Sequence, residues 1–166
     1  MRIGLISDTH GYLDEKVFNY FDQCDEIWHA GDIGTIEVAQ QLEDFRPLRA
    51  VYGNIDGPDL RQKYPEDDQF VIGDMSIWIT HIGGSPRRYD RRILPDLRKN
   101  PPDIFICGHS HILKVQSDKN HKGMLYLNPG AAGRQGFHRM RTLLRFEIVD
   151  GSVQNMQAIE LGKRGI

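Results

Sequence analysis

The stretch that decides the fold is RIGLISDTH at residues 2–10, where a short apolar run ends in a polar cluster. It is followed by DEKVFNYFD at 14–22, whose apolar residues lie close to helical spacing, so the two segments predict a strand that leads into a helix. The pattern repeats with a strand predicted at 26–30, a helix at 36–45 and a strand at 48–52. Such an alternation indicates parallel strands joined by right-handed crossovers.

The remainder of the chain is predicted to be mostly β structure. The Gly-, Pro- and Asp-rich segment 53–66 has no period and predicts a long loop. A helix is predicted within 87–99, where Pro95 would break or kink it. Further strands are predicted at 69–73, 76–81, within 103–111, at 112–117 and 124–129, and on both sides of a turn at Asp150 and Gly151 within 141–161.

Together these elements predict one α/β domain that spans residues 1–166. Its first half is expected to contain parallel strands and its second half antiparallel strands. The most economical arrangement of these halves is a two-sheet β-sandwich flanked by helices, in which the sheets pack face to face.

The composition excludes several classes of protein. The formal net charge is −2, which argues against a protein whose main role is to bind a nucleic-acid backbone. Cys24 and Cys107 are the only cysteines and form no CxxC motif, so neither a disulfide framework nor a thiolate zinc site is supported. The amino-terminal apolar run is too short for a signal peptide, and no segment reaches the roughly 18 apolar residues of a membrane span. We therefore expect a cytoplasmic protein that does not bind a membrane.

Side chains of metal-ligand type recur at the carboxyl ends of the predicted strands or just past them. This end of an α/β sheet is where ligands bind, so residues distant in sequence converge there. The set consists of Asp8, His10, Asp32, Asn54, His81, His109 and His111. Carboxylate, carboxamide and imidazole groups without thiolates suit manganese, iron, nickel, cobalt or zinc better than calcium or magnesium. The sequence predicts two divalent cations, with Asp32 as the natural bridging carboxylate.

A D-x-H triplet, a Gly-Asp pair or a Gly-Asn pair alone is a weak signal, because a turn or a helix cap explains it more readily than a metal site, whereas G-H-S-H directly after an apolar strand is a stronger one. In order, however, the motifs D-x-H, G-D, G-N-x-D, a lone His and G-H-x-H stand at 8–10, 31–32, 53–56, 81 and 108–111. In order and spacing the chain resembles the calcineurin-like metallophosphoesterase superfamily, and within it the small phosphodiesterases of the YfcE type. The resemblance runs nearly end to end and implies a four-layer αββα fold.

The resemblance also implies how the ligands divide. It puts Asp8, His10 and His111 on one metal ion and Asn54, His81 and His109 on the other, with Asp32 between them. Asp32, Asn54 and His109 are also given catalytic roles. Manganese is the expected cofactor, with nickel, iron, cobalt and zinc as alternatives. Gly31, Gly53 and Gly108 each precede a ligand, where the backbone must approach the ions without an intervening Cβ.

The implied reaction is hydrolysis of a small phosphodiester or phosphomonoester by a hydroxide that bridges the two ions. Arg134, in the NPGAAGR segment at 128–134, is a candidate for binding the substrate phosphate. Many superfamily members have a His between the Asn and the acidic residue, where this chain has Ile55, so a dedicated general acid is missing. General acid catalysis contributes typically about 10²- to 10⁴-fold, so its absence favours substrates with good leaving groups.

Alternative interpretations remain open at several positions. Asp56 is either a turn former or a residue that orients a ligand. His29 is expected to be structural, and surface or loop roles are expected for His121 and His138. The basic run RRYDRR at 87–92 either steers an anionic substrate or forms a solvated helix face.

Alternative functions also remain open for the chain as a whole. The retromer subunit of eukaryotes resembles this fold and serves as a scaffold, and larger superfamily members are nucleases. The complete ligand set argues against the first alternative, and the near-neutral charge argues against the second. Because family members are often oligomeric, a homodimer or larger homo-oligomer is compatible with the resemblance.

Overall fold

The computed structural model describes residues 1–165, which form twelve strands and four α-helices. The strands are β1 Arg2–Ile6, β2 Glu26–His29, β3 Leu48–Ala50, β4 Asp67–Ile72, β5 Met75–Thr80, β6 Gly84–Ser85, β7 Arg88–Tyr89, β8 Ile104–Ile106, β9 Leu113–Asp118, β10 Met124–Pro129, β11 Met140–Val149 and β12 Ser152–Lys163. The helices are α1 Lys16–Tyr20, α2 Ile36–Phe45, α3 Pro58–Lys63 and α4 Leu94–Lys99. None of these described helices is long and apolar enough to cross a membrane.

The first sheet has the strand order β12-β11-β1-β2-β3. Strands β1, β2 and β3 run parallel to one another, as the alternation of strands and helices predicts. Strand β11 pairs antiparallel with β1, and β12 continues the sheet through the hairpin at Asp150 and Gly151. The predicted change from parallel to antiparallel strands is therefore confirmed within this sheet.

The second sheet has the order β4-β5-β8-β10-β9 and is itself mixed. Its central strands β5, β8 and β10 are parallel, whereas β4 and β9 pair antiparallel with their neighbours at the two edges. Both sheets therefore contain parallel strands, and each sheet contributes carboxyl ends to a site.

Three apolar clusters define the four layers. The cluster between the two sheets contains alternate strand residues such as Leu5 and Trp28. A second cluster joins α1, α2 and α3 to the outer face of the first sheet, and a third joins α4 to the outer face of the second sheet. Trp28, Trp78, Phe105 and Cys107 are all buried in these clusters. The predicted sandwich with helices outside is confirmed.

The structure corrects one predicted element and confirms another over a shorter range. The segment 53–66 is not a continuous loop, because α3 lies within it and begins at Pro58. The helix predicted within 87–99 is confirmed as α4 at Leu94–Lys99, whereas the first part of that segment contains β7 at Arg88–Tyr89. In both helices a Pro lies in the first turn, where its missing N–H costs no hydrogen bond.

The basic run at 87–92 is consequently not a solvated helix face. Arg92 donates to an Asp67 carboxylate oxygen at 2.6 Å and to the Thr80 hydroxyl at 2.6 Å. Arg88 lies in the short hairpin formed by β6 and β7. Arg92 of this run therefore forms a tertiary ion pair, and the run as a whole does not form an exposed face of one helix.

Candidate metal centre

The candidate ligands all follow carboxyl ends of parallel strands, and the two sheets bring those ends together. Strands β1, β2 and β3 lead to Asp8 with His10, to Asp32 and to Asn54. Strand β5 leads to His81, and β8 leads to His109 with His111. Backbone hydrogen bonds tie the loops to one another: the His10 N–H donates to Asp32 at 3.0 Å, and the Gly108 N–H donates to His81 at 3.0 Å.

One cluster consists of Asp8, His10 and His111. The Asp8 Oδ1 atom lies 3.1 Å from His111 Nε2 and 3.8 Å from His10 Nε2. Its other carboxylate oxygen is fixed, because Asp8 Oδ2 accepts from the Ser7 hydroxyl at 2.6 Å and from the His109 N–H at 3.2 Å. Only one Asp8 oxygen is therefore directed into the cluster.

A second cluster consists of Asp32, His81 and His109. The Asp32 Oδ2 atom lies 3.2 Å from His81 Nε2 and also 3.5 Å from His10 Nε2 of the first cluster. Its Oδ1 atom accepts from the Ile55 N–H at 3.0 Å. Asp32 therefore contacts residues of both clusters through one oxygen while the other is held by the loop after β3.

Asn54 lies beside this second cluster and is exposed. Together with His81 it lines a cavity of about 270 Å³ that also includes Arg61 and Arg92. The Arg61 guanidinium donates to the main-chain carbonyls of Gly53 and Asn54, each at 3.3 Å, and thereby holds the loop.

The donor atoms in these clusters fit divalent cations. Asp8 Oδ1, His10 Nε2 and His81 Nε2 are buried and have no hydrogen-bond partner, a state that is costly unless another ligand satisfies them. His81 Nδ1 donates to the Ala30 carbonyl at 2.7 Å, which leaves the Nε2 lone pair directed inward. Metal-binding His residues typically donate their second ring N–H in this way.

The charges of the two clusters are strongly coupled. Burial alone would raise the pKa of Asp8, but the neighbouring imidazoles of His10 and His111 lower it well below its ordinary value. The same balance lowers the pKa of Asp32, where burial is opposed mainly by His81. Both carboxylates are therefore ionised at neutral pH, as metal ligands must be.

The histidines respond to the same contacts in different directions. The nearby carboxylate of Asp8 raises the pKa of His10. Burial opposes protonation of His81, but Asp32 and Asp8 raise its pKa overall. Burial, assisted by the charge of His81, lowers the pKa of His109. The metal-free clusters thus attract protons to some imidazoles, and cation binding would displace those protons.

The backbone is left-handed at five of the candidate ligands. The φ angles are 53° at Asp8, 48° at His10, 53° at Asp32, 65° at His109 and 59° at His111. Non-glycine residues rarely adopt this region, which costs of the order of 1–3 kcal/mol each, and such residues cluster at functional sites. The loops therefore hold the side chains in a geometry that local preference would not select.

Glycines make the close approach of the loops possible. A Cβ at Gly53 would overlap Asp32 Oδ1, and one at Gly108 would overlap Ser7 Oγ. A Cβ at Gly31 would lie 2.6 Å from His81 Nδ1. The ligand loops therefore leave no space for a Cβ at these three positions, which is why each of them is a glycine.

Asp56 and His29 support the loops from behind. Asp56 is buried and accepts from the backbone N–H groups of Gly53 at 2.8 Å, Gly34 at 2.8 Å and Ile33 at 3.1 Å. It therefore joins the loops after β2 and β3 instead of contacting a ligand side chain. His29 is fully buried, accepts from the Gly31 N–H through Nδ1 at 3.1 Å and lies 3.0 Å from the Thr9 hydroxyl through Nε2.

Arg134 lies on the side of the first cluster. Its guanidinium stacks on the Tyr12 ring at 4.0 Å and donates to the Tyr12 hydroxyl at 2.9 Å. The preceding Gly133 N–H donates to the Asp8 carbonyl at 3.0 Å. Arg134 is therefore exposed next to the loop that carries Asp8 and His10.

His138 is the residue that the sequence interpretation missed. It is half-buried, and its Nδ1 atom lies 3.2 Å from Nδ1 of His111. Its Nε2 atom lies 2.9 Å from the Gly133 carbonyl. Burial lowers the pKa of His138, and the charge of His111 lowers it further against the opposing hydrogen bond to Gly133. The only signal in the sequence was its position after the Gly-rich segment 130–136.

A second cavity, of about 240 Å³, borders the clusters at His109. Its walls include Ile112, Lys114 and Tyr126. It is therefore partly apolar, with one ammonium group, and shares no lining residue with the cavity that contains Asn54.

Two mixed sheets packed face to face, with paired Asp and His clusters at the carboxyl ends of their parallel strands, define the metallophosphoesterase class. The chain belongs to the calcineurin-like phosphoesterase superfamily, since the profile of that superfamily domain matches residues 1–151. It is accordingly a metal-dependent phosphoesterase.

Known relatives and structures agree with this assignment. The chain is 35% identical over 137 residues to a probable metallophosphoesterase of Methanocaldococcus jannaschii, covering 79% of this chain and 68% of that protein. It superimposes on a novel archaeal phosphodiesterase with a TM-score of 0.77 at 22% identity, over 97% of this chain and 100% of the other. Wild-type Vps29 of Entamoeba histolytica, complexed with zinc, gives a TM-score of 0.72 at 22% identity, over 96% and 99% of the chains. At these identities the two structural matches show the fold.

Proposed function

We propose that the protein is a dinuclear metal-dependent phosphodiesterase or phosphatase that hydrolyses small phosphoesters. The observation that carries this proposal is the position of Asp32 Oδ2, 3.2 Å from His81 and 3.5 Å from His10, between two clusters of metal-ligand type. A single carboxylate oxygen that contacts both clusters is suited to join two cations. Pairs of cations about 3.5–4 Å apart are typical of phosphatases.

The proposed ligand roles follow the two clusters. Asp8, His10 and His111 hold one cation, Asn54, His81 and His109 hold the other, and Asp32 lies between them. When bound, the cations supply an activated hydroxide nucleophile and neutralise charge on the phosphoryl oxygens. The carboxamide oxygen of Asn54 completes the second set, which otherwise has only Asp32, His81 and His109.

The protein contributes positioning and charge around the phosphoryl group. Arg134 is proposed to contact a phosphate oxygen, since its guanidinium lies beside the loop of His10 and matches phosphate geometry. Ile55 is 47% exposed beside Asn54, so no imidazole is available there to protonate the leaving group. These features favour esters whose leaving groups need little protonation.

The size of the substrate is inferred from the surroundings of the clusters. The cavity of about 240 Å³ at His109 is large enough for one small organic group, and its apolar walls with Lys114 suit an aryl or anionic group. The formal charge of −2 supplies no general attraction for nucleic acid. A small phosphoester is therefore the proposed substrate, with diesters preferred.

Manganese is the proposed cation, and nickel, iron, cobalt and zinc are the alternatives. The proposal depends on the donor set, which combines imidazole nitrogen with carboxylate and carboxamide oxygen and includes no thiolate.

The test is hydrolysis of bis(p-nitrophenyl) phosphate by protein that has been stripped with chelator and reloaded with manganese or nickel. We expect activity that appears with metal, saturates near two cations per chain and disappears when chelator is added. Manganese titration by calorimetry gives the stoichiometry independently of turnover.

The outcomes separate an enzyme from a scaffold. Two bound cations without hydrolysis of any aryl phosphate monoester or diester would favour a binding platform, like the one described for the retromer subunit. Failure to bind any of the five metals would refute the dinuclear proposal. Activity on oligonucleotides that falls steeply with salt would instead identify a nuclease.

A further inference from the structure

The contact between His111 and His138 fixes the positions of two ring protons. A carbonyl oxygen only accepts hydrogen bonds, so His138 Nε2, at 2.9 Å from the Gly133 carbonyl, carries a hydrogen. In a neutral His138 the remaining nitrogen, Nδ1, is then an acceptor. Its neighbour at 3.2 Å is His111 Nδ1, which must therefore be the donor.

This arrangement determines which nitrogen of His111 remains available. With its hydrogen on Nδ1, a neutral His111 has its lone pair on Nε2. That atom lies inside the first cluster, 3.1 Å from Asp8 Oδ1, which has no hydrogen-bond partner. The tautomer that the contact selects is thus the one that directs a lone pair at the candidate metal position.

We propose that His138 is a positioning residue that holds His111 in its Nδ1–H tautomer and ring orientation so that Nε2 binds a cation. The inference rests on the proposed function, because it assigns His111 to a metal ion. It adds a residue outside the seven ligands and gives it a role that does not require contact with metal or substrate.

His81 in the other cluster provides an internal comparison. Its Nδ1 atom donates to the main-chain carbonyl of Ala30 at 2.7 Å, which leaves its Nε2 atom in the same chemical state. Among the described residues, Nδ1 of His111 has no hydrogen bond to a main-chain carbonyl, and the imidazole of His138 takes that place. The carbonyl of Gly133 then fixes the imidazole of His138. The two hydrogen bonds thus lead from His111 through His138 to a main-chain acceptor.

Gly136 shows that the chain makes room for this pair of rings. Its φ angle is +123°, a conformation that L side chains rarely adopt. A Cβ at this position would overlap His111 Nδ1 and would lie 3.2 Å from His138 Nδ1. The loop between Gly133 and His138 therefore bends around the contact.

The test uses three variants. His138→Leu removes the acceptor, His138→Asn retains an oxygen acceptor near the position of Nδ1, and His121→Leu changes a half-buried histidine that is hydrogen-bonded to Asp118 and serves as the matched control. Folding of each variant is verified by its thermal unfolding transition. The ring nitrogens are then observed by ¹⁵N NMR at alkaline pH in metal-free protein, and manganese alone is titrated by calorimetry.

We expect the wild-type spectrum to show a protonated Nδ1 and an unprotonated Nε2 at His111. In His138→Leu the Nε2–H tautomer should gain population, and the affinity of one of the two manganese sites should fall by about 10- to 100-fold. His138→Asn should restore part of the affinity, and His121→Leu should match the wild type. A purely structural role would not change the tautomer.

Two outcomes would overturn the inference. One is a His111 that keeps the Nε2–H tautomer in the wild type, and the other is a folded His138→Leu variant with unchanged tautomer and manganese affinity. The proposed function fails separately, if the wild type binds no metal at all. The NMR measurement on metal-free protein still tests the tautomer in that case.

Discussion

Gly53 lies directly against the carboxylate of Asp32, so closely that a Cβ at position 53 would overlap Asp32 Oδ1. The φ angle of Gly53 is not in the left-handed region, so the restriction is one of space. The same Asp32 oxygen accepts from the Ile55 N–H two residues further on, and the loop after β3 therefore fixes the carboxylate from two sides.

A Gly53→Ala substitution should displace this carboxylate. We expect the free energy of unfolding to fall by about 1–3 kcal/mol from overpacking, and manganese binding to weaken at both sites. Gly57→Ala is the matched control, because a Cβ there would meet only Asp59 Oδ1 at 3.5 Å. Calorimetric titration of folded Gly53→Ala with wild-type affinity for both ions would contradict the prediction.

Asp32→Asn should reduce kcat/KM more than loss of a ligand that serves one ion, such as His81→Gln. The substitution removes a negative charge proposed to be shared by both cations, and we expect a loss of at least about 10²-fold. Asp118→Asn is the control for removing the charge of a buried carboxylate elsewhere in the protein, since Asp118 is 4% exposed and Asp32 is 2% exposed. Equal, mild losses in Asp32→Asn and in all six other ligand variants would count against a bridging position.

Ile55→His should partly restore acid assistance to the leaving group. Because the side chain at 55 is 47% exposed beside Asn54, an imidazole there has room to reach a leaving oxygen. The ratio of kcat/KM for alkyl to aryl diesters should rise by up to about 10²-fold, the lower range for general acid catalysis. Val71→His, at a site 64% exposed on β4, is the control. An unchanged ratio in Ile55→His would show that the missing acid does not limit these substrates.

Protonation of His29 should destabilise the metal-free protein in mild acid. Burial lowers the pKa of His29 to about 4 from its ordinary value of 6.5. Its contribution to stability is therefore complete above pH 6.5 and is lost as the pH falls from 6.5 towards 4, because only the unfolded chain binds the proton. Within that window the loss is about 1.4 kcal/mol per pH unit.

The measurement is the free energy of unfolding against pH in chelator, for the wild type and for His29→Gln. All other titrating groups are common to both proteins, so the difference isolates His29. Between pH 6.5 and 4 the free energy of unfolding should change less steeply with pH in His29→Gln than in the wild type. The expected difference in slope is about 1.4 kcal/mol per pH unit, which corresponds to one proton. Parallel curves would mean that His29 is protonated in the folded state.

The first half of the fold was predictable because local and global signals agree there. RIGLIS and EIWH alternate between the two faces of β1 and β2, and each strand is followed two residues later by a ligand or a glycine. The site was predictable for the same reason, since the carboxyl ends of parallel strands converge regardless of sequence distance. The metal-binding roles of the seven ligands and the phosphate-binding role of Arg134 stay predictions. So does the extent of a single domain over residues 1–166.

The parts that were not predictable depend on tertiary contacts. Helix α3 has six residues, too short for a clear period, and Pro58 in its first turn resembles a loop signal. The hairpin of β6 and β7 depends on Tyr89, whose hydroxyl donates to Asp118 at 2.6 Å across the fold. His138 meets His111 across 27 residues of sequence, and no local pattern encodes that contact.

Each ligand cluster takes residues from both sheets. Asp8 and His10 follow the first sheet and His111 follows the second, while Asp32 follows the first sheet and His81 with His109 follow the second. Every bound cation would therefore act as a crosslink between the two halves of the sandwich at one end. Hydrogen exchange at the carboxyl ends of β1, β2, β5 and β8 should slow together when metal is added, because separating the sheets there would require release of the ions.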